Sequence, residues 1–518
     1  MTRILFWNIE NFSIQKINNP KELSASQQRF SEIMSVVKQV NPSVFIIVEV
    51  EASKGEAEVP GQPLTNENAI NALFLILNEL RKLPNGKEWS LVPPVNVGGA
   101  AIAGKGKLTI DPAYREGVAV FYKADELKFV GPYVMGDFEF KVEVEVNNRK
   151  KRETIEATKS QAPNTPNLQL TDYPDEISSV TIQQKTVNAF SNITKGRTTQ
   201  VNGKAIPENQ FAGQYEYFTP GRKRIKFPNV ANRPPFLTKF VELKGLKRTL
   251  NVFSVHTSPQ GNRKEEYKVS AKKSVQLTVT NADDAVKALK NVGEITSTLG
   301  DKEVSVIAGD FNVNSCYYNM YTTYKDFMDT GYTMHIKPED QKTDPDGFEE
   351  TAPFCLTTFV RKGKGAPFNQ SRSEASMRDM GYTKFGPYPK YGYLDKAYDN
   401  FFTKYGKHAK PAAHNHNITI VNTVVGKPYT WAVPNIRDIP DALTKGQTIK
   451  RTIDNEYLPK PTNNNPLGGI KPMIPSTHGD LITEDDAIDY NDYYKAVFKS
   501  ALNKQLELSD HLAISIDI

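Results

Sequence analysis

Residues suited to chemistry occur at both ends of this 518-residue chain and again in its middle, so a fold that unites them must use the whole chain. Gly309-Asp310-Phe311-Asn312 follows the apolar run Val304-Ser305-Val306-Ile307-Ala308 and sets a carboxylate and an amide side by side at the end of an expected strand. Asn8 follows the apolar segment Ile4-Leu5-Phe6-Trp7, and Ser509-Asp510-His511 opens the last expected strand, Leu512 to Ile518. Together these read as the parts of a metal-and-phosphate site. At roughly 150 residues per domain the length suggests about three domains. The end-to-end spacing predicts instead a single domain, 1–518, enlarged by insertions.

Hydrophobic periodicity gives the framework. Leu23, Phe30, Ile33, Met34 and Val37 form a helical stripe that stops at Asn41-Pro42, and Ile70, Leu73, Phe74, Leu77 and Leu80 form a second between Asn66 and Leu83. Val44-Phe45-Ile46-Ile47-Val48 is continuously apolar, as in a strand buried on both faces, and it presents Glu49 at its end. Strand character resumes at Gly117 to Lys123 after Glu116, at Phe236 to Leu243, at Leu250 to Val255 and at Val304 to Ala308, with a helix expected over Asp283 to Leu299. Such mixing predicts sheets covered by helices. Two stretches break the rhythm and read as irregular insertions, 134–232 with basic runs and 407–482 rich in Pro and Asn. Beyond them Thr483 with Asp486 resembles a capping box, opening a helix with a stripe from Tyr490 to Gln505.

Composition excludes little but is consistent. A hydrophobic content of 38% supports a large core, and 24% charged residues is ordinary for a globular chain. The net charge of +6 and pI near 8.8 suit a polyanion partner without requiring one. Cys316 and Cys355 are too few to staple the chain, so it does not depend on an oxidising compartment; one bridge between them is open. No run of 18 or more apolar residues occurs, and no charged leader with an apolar core precedes Arg3. The expected location is cytoplasmic, or outside the cell by a route without a classical signal peptide, and no membrane partner is expected.

Seven short motifs, in order, carry a resemblance: Trp7-Asn8-Ile9, Val48-Glu49-Val50, Tyr114-Arg115-Glu116, Val255-His256-Thr257-Ser258-Pro259, Gly309-Asp310-Phe311-Asn312, Ala397-Tyr398-Asp399-Asn400 and Ser509-Asp510-His511. Together they resemble the endonuclease/exonuclease/phosphatase superfamily, most closely its deoxyribonuclease I-like branch, which combines the glutamate of Glu116 with the histidine of His256. The resemblance spans the core strands and skips both insertions. It implies an α/β (α+β) fold, a four-layer αββα sandwich of two mainly antiparallel sheets flanked by helices.

The chemistry that phosphodiester cleavage needs is charge neutralisation, water activation and protonation of the leaving oxygen. Glu49, Asp310 and Asp510 offer hard oxygens suited to Mg²⁺, with Mn²⁺ or Ca²⁺ as alternatives, and Asn8 and Asn312 offer amides that add no negative charge. The resemblance implies that Asn8, Glu49 and Asp510 lie on the metal side. Asp310 and Asn312 belong to a second metal or phosphate side, and one ion or two is open. His511 is assigned as general base with Asp399, preferred over Asp395, as its orienting partner; His256 with Glu116 forms the pair that serves as general acid. Arg233 matches a phosphate-contacting arginine and Tyr114 a residue along the bound strand. In other branches the residue matching Asp310 is argued to be the base. Glu51 stands where deoxyribonuclease I has a minor-groove-reading arginine, so the same mode of groove binding is in doubt.

The expected activity is therefore divalent-metal-dependent hydrolysis of nucleic-acid phosphodiesters, with DNA preferred over RNA and endonuclease action expected. The rival readings are a phosphodiesterase or phosphatase on lipid or inositol phosphates, and a toxin, effector or binding module that uses the fold to engage a protein. Gly99 to Lys105 has the spacing of a phosphate-cradling loop, but Gly106 stands where Ser or Thr is required. His414-Asn415-His416 reads as surface, and the basic run Arg222 to Lys226 as either a solvated face or a nucleic-acid path.

Overall fold

Alternation along the strands decides which way each side chain faces, and here it divides one chain into four layers. The computed structural model describes residues 1–51, 64, 66–97, 100–103, 107–110, 116–146, 149–161, 198–201, 204–215, 217–221, 225, 227, 233–257, 262–270, 273–315, 318–336, 357–358, 397–410, 418–422, 429–432 and 508–518. An eight-stranded sheet runs in the order Tyr429–Ala432, Ile418–Asn422, Ala513–Asp517, Arg3–Phe12, Val44–Glu51, Glu116–Lys123, Trp89–Leu91, with Val95–Asn96 also paired to Glu116–Lys123. A six-stranded sheet runs Thr333–Met334, Asp399–Tyr405, Glu303–Asp310, Thr249–His256, Phe236–Glu242, Leu127–Gly131. In each sheet one pair is parallel, Arg3–Phe12 with Val44–Glu51 and Thr249–His256 with Glu303–Asp310, and the other pairings are antiparallel.

Between the sheets, Ile4, Phe6, Val44, Ile46, Val118 and Val120 of the first meet Phe240, Leu250, Val252, Val304, Val306 and Phe401 of the second in one core. Their sequence neighbours face outward. Leu5, Trp7, Phe45 and Ile47 pack beneath Ile33, Val36 and Val37 of the helix Leu23–Val40 and Leu73, Ile76 and Leu80 of the helix Glu67–Lys82. Phe253, Val255, Ile307 and Phe402 pack beneath Ala282, Val286, Tyr324 and Phe327 on the helices Asn281–Ala288 and Tyr318–Met328. This is the expected four-layer αββα sandwich of two mainly antiparallel sheets. Strands this apolar on both faces must be covered on both, and at about 25 cal/mol per Å² of buried apolar area that double covering is the main driving force for the layered arrangement.

Local signals set the helix ends. Asn66 caps the second helix through its side-chain oxygen, and Asn41 ends the first in a left-handed conformation at φ 49°. The helix expected over Asp283 to Leu299 is corrected: it covers Asn281–Ala288, tightens into the turn Leu289–Asn291 and restarts as Gly293–Thr296. Thr280 and Asp283 form a capping box one turn upstream of the expected start, and the extended Val292 before Gly293 breaks the helix.

The insertions also differ from the irregular expectation. The first begins with the long antiparallel pair Tyr133–Val146 and Arg149–Gln161 and returns through Thr198–Val201 with Lys204–Pro207. Buried Glu208 accepts from the Tyr122 hydroxyl at 2.8 Å and from the Phe129 amide at 2.9 Å, which ties this segment to both sheets. The second supplies Ile418–Asn422 and Tyr429–Ala432, which extend the first sheet beside the last strand. The expected helix near Tyr490, both cysteines, the loop 104–106 and His414 and His416 lie outside the described residues. Among those described, no helix is long and apolar enough to cross a membrane.

At the end of the sandwich remote from Asp310, Arg248 binds Glu242 at 2.5 and 2.9 Å and donates to the carbonyls of Ala409 and Ile518 at 3.1 Å, while Thr2 also donates to Glu242 at 2.6 Å. The group joins the first strand, the last strand and the second sheet. Burial opposes ionisation of Glu242, but Arg248 and Thr2 hold its carboxyl below the usual range. Arg248→Met strands that buried charge, so unfolding free energy is expected to fall by about 3–5 kcal/mol. A urea denaturation midpoint unchanged from wild type would contradict this.

Candidate active site

Both parallel pairs end at the same end of the sandwich, and the chemistry collects there. His256 and Asp310 are register partners at the ends of adjacent parallel strands, and Asp310 is also opposite Asp399, the first residue of the strand on its other side. In the first sheet, Asn8 lies opposite Val48 with Glu49 next to it, Glu116 begins its strand, and His511 lies just ahead of the last one. An antiparallel neighbour enters where a parallel strand leaves, which is why residues at strand starts and at strand ends meet.

The polar contacts then cross between the sheets. The Asn8 amide donates to Glu49 Oε1 at 3.1 Å and to Asp310 Oδ2 at 2.9 Å. His511 Nδ1 is 2.8 Å from Asp399 Oδ2, and His256 Nδ1 is 2.7 Å from Glu116 Oε2. Each of these imidazole–carboxylate pairs takes one member from each sheet. Their Nε2 atoms converge on a single oxygen, Asp310 Oδ2, at 3.5 Å from His511 and 3.6 Å from His256, and His256 Nε2 is also 3.3 Å from Glu49 and 3.5 Å from Arg233 Nη1. Asp510 Oδ1 lies 3.7 Å from His511 Nε2.

Asn312 closes the floor. Its backbone N–H donates to Asp310 Oδ1 at 2.9 Å, and its amide donates to Asp310 Oδ2 at 3.2 Å and to the Thr257 carbonyl at 2.8 Å. Asn312 at φ 48° and Glu49 at φ 57° both occupy the left-handed region, which non-glycine residues enter at a cost and which clusters at functional sites. Glu49 lies within a register shift between Ile47 and Val50, and its carboxylate accepts from the Asn8 amide.

The fields are strong because the groups are buried. Burial alone favours a neutral Glu49, yet His256 and the Asn8 amide hold its carboxyl below the usual range. Burial would likewise depress His256, but Glu116 and Glu49 prevail over Arg233 and raise it. His511 is raised well above its ordinary value, since the pull of Asp399 and Asp310 exceeds the penalty of burial. Asp399 is pushed up to about 6 by burial, against the opposing His511.

Arg233 does not stand free toward solvent; its Nη1 lies 3.4 Å from Glu116 Oε2 and 3.1 Å from His256 Nδ1. One ring nitrogen cannot donate to Glu116 and accept from Arg233, and a proton on Nδ1 shared with Glu116 leaves the guanidinium paired with that same carboxylate. Tyr114, Asp395 and the run Arg222 to Arg224 lie outside the described residues.

Sequence reasoning missed Thr357. Its hydroxyl accepts from the Asp399 amide at 3.0 Å, its carbonyl accepts from Leu512 N at 2.7 Å, and Thr358 bridges to His511. This two-residue segment thus holds both members of the His511–Asp399 pair. Nothing in its local pattern marks it, because its partners lie 42 and more residues away. Ser509, quoted only as part of a motif, donates to the Asn8 carbonyl at 2.6 Å and accepts from His511 N at 2.9 Å, locking the first strand to the last.

Gly309 explains the first letter of its motif. A Cβ there would sit 2.5 Å from the carbonyl oxygen of Val255, its register partner. Gly309→Ala is therefore expected to spread the His256 and Asp310 strands, costing about 1–3 kcal/mol as overpacking does. An alanine variant with wild-type stability and activity would refute that reading.

As to ligands, Asp310, Asp399 and His511 offer atoms within 4.8 Å of one another and could hold a metal ion. His511 Nδ1 and Asp399 Oδ2 are already joined to each other, which leaves the oxygens around Asp310 better placed for a hard cation. Buried Asn8 Oδ1 finds no hydrogen-bond partner among the described residues, although its amide nitrogen makes two. An orphaned acceptor beside two carboxylates is what an oxygen-liganded divalent ion would satisfy.

Neither a family model nor a curated protein matches the sequence. Among solved structures the chain is similar to an endonuclease/exonuclease/phosphatase family protein from Leptotrichia buccalis, at 10% identity over 78% of this chain and 88% of that one, with a TM-score of 0.31. It is similar to TDP2 from D. rerio, at 10% identity over 81% of this chain and 88% of that one (TM-score 0.28), and to a beta toxin from Staphylococcus aureus, at 12% identity over 84% and 93% (TM-score 0.31). The solved structures to which the chain is similar thus include endonuclease/exonuclease/phosphatase family proteins, the superfamily that its motifs resemble.

Proposed function

We propose that this protein hydrolyses phosphodiester bonds in nucleic acid with a divalent metal ion, as an endonuclease of the deoxyribonuclease I-like kind acting on DNA. One observation carries the reading: two imidazole–carboxylate pairs, His511–Asp399 and His256–Glu116, aim their Nε2 atoms at one oxygen of Asp310. Hydrolysis of a phosphodiester needs a base for water and an acid for the leaving oxygen around one phosphorus, and two oriented histidines supply both.

In this mechanism Asp399 keeps one proton of His511 on Nδ1. Asp310 and Asp510, once they hold a divalent ion, would exert less of the carboxylate pull that raises this imidazole and so leave Nε2 unprotonated to accept a proton from water. Glu116 raises His256, which favours the imidazolium and lets Nε2 donate to the departing oxygen. Arg233 holds a phosphate oxygen through its guanidinium, and Asn312, whose N–H bonds go to Asp310 and to the Thr257 carbonyl, would hold one by exchanging its Asp310 Oδ2 bond for the phosphate. Asn8, Glu49, Asp310 and Asp510 would hold Mg²⁺, or Mn²⁺ or Ca²⁺ in its place, and the ion when bound supplies neutralisation of charge on the phosphoryl oxygens.

The test is a panel of supercoiled DNA, single-stranded DNA, RNA, sphingomyelin and inositol phosphates, each with Mg²⁺ and with chelator. Nicking of supercoiled DNA that chelator abolishes is the expected result. Turnover confined to the lipid or inositol substrates, or none at all, would overturn the proposal.

A further inference from the structure

Lys16 has no role in the mechanism above, yet the fold brings it to the site. The first strand, having delivered Asn8, shifts register through Glu10 and Asn11 and passes at Ser13 into the one-turn helix Ile14–Ile17. This segment is tied to the site at one end, where the Asn11 amide donates to Glu49 Oε2 at 3.3 Å. At its other end Arg29 Nε donates to the Lys16 carbonyl at 2.8 Å and Lys16 N donates to Ser13 O at 3.0 Å. The Lys16 side chain folds back and its ammonium donates to the Glu10 carbonyl.

There the ammonium lies in the field of three carboxylates, Glu10, Glu49 and Asp510. Burial lowers its pKa to about 8 against that pull. It is only partly buried, and two of its three donors remain beyond the Glu10 carbonyl. Cations thus serve two sides of the site: Arg233 at the Glu116 and His256 side, Lys16 at the Glu49 and Asp510 side. A polyanionic strand crossing between the histidines carries a phosphate on either flank of the scissile one, and a lysine is suited to hold such a phosphate as a point charge.

We propose that Lys16 is a substrate-positioning residue that binds a phosphate of the nucleic-acid strand on the Asp510 side of the scissile bond. This rests on the phosphodiesterase reading above. Lys16→Gln keeps a donor for the Glu10 carbonyl and removes the charge, and Lys16→Arg keeps the charge. Binding of a fluorescently labelled oligonucleotide is read by anisotropy in chelator across a salt series, and cleavage by steady-state kinetics with Mg²⁺. For Lys16→Gln the salt slope is expected to fall by about 0.7–0.9, with oligonucleotide affinity weakened and KM raised about tenfold. Its kcat should stay within about threefold of wild type, since uniform binding is what is lost. Lys16→Arg should restore the slope.

An unchanged slope in Lys16→Gln overturns the proposal. So does a fall in kcat at constant KM, or a lost thermal unfolding transition, because either would make Lys16 a support for the turn or for the carboxylates. Wild-type protein that cleaves no nucleic acid would instead remove the nuclease reading itself.

Discussion

His511→Ala is expected to lower plasmid cleavage by a factor on the order of 10² or more, the usual contribution of a positioned general base. His511 is held at three points: the imidazole Nδ1 by Asp399 at 2.8 Å, the backbone N–H by Ser509 at 2.9 Å, and the backbone carbonyl by the Trp7 indole at 3.0 Å. Removing the ring leaves Asp399 buried with its partner gone, so stability should be recorded alongside activity. His256→Ala should lose a comparable factor through the acid step. If the two act in one reaction, as proposed, the double variant should lose less than the product of the single losses. Near wild-type cleavage by both single variants would remove the acid–base assignment.

Asp310→Asn is expected to be at least as damaging, on the order of 10²–10³ in kcat, the scale on which a preorganised charge in a dry site acts. Asparagine preserves the shape, but Asp310 accepts from the Asn8 amide, the Asn312 amide and the Asn312 backbone N–H, and it faces both histidines. An amide in its place turns several of these contacts into donor against donor. Raising Mg²⁺ should not restore the activity. With Glu49→Gln, where the residue is less buried and bonded to fewer partners, added Mg²⁺ should restore part of it. Retention of more than about a tenth of kcat in Asp310→Asn would place the essential charge elsewhere.

Much of the framework is legible along the chain because it rests on short-range physics. The stripe ending at Asn41-Pro42 became the helix Leu23–Val40, and the apolar run from Val44 became a central strand with Glu49 near its end. What misled was local pattern without tertiary competition: the stripe over Asp283 to Leu299 ignored the break at Val292 and Gly293. The strand Tyr133–Val146 does carry a local signal, the alternation of Phe138, Phe140, Val142, Val144 and Val146 with charged residues, which the expectation of an irregular insertion passes over. What the pattern does not show is the partner each strand takes. Thr357 and Lys16 were invisible for a related reason. Each is defined by partners that the chain brings close only after both sheets form.

By itself the sequence determined the inventory: which carboxylates, amides and histidines end or begin apolar strands, and in which order. Only the tertiary structure decided how they pair. Asn8 meets Asp310 across 302 positions, His256 meets Glu116 across 140 and His511 meets Asp399 across 112, and these contacts run from one sheet to the other. A hydrogen bond of about 2.8 Å requires both strands to be in register and both sheets to be packed at one separation. That geometry is a property of the whole sandwich, set by its shared apolar core.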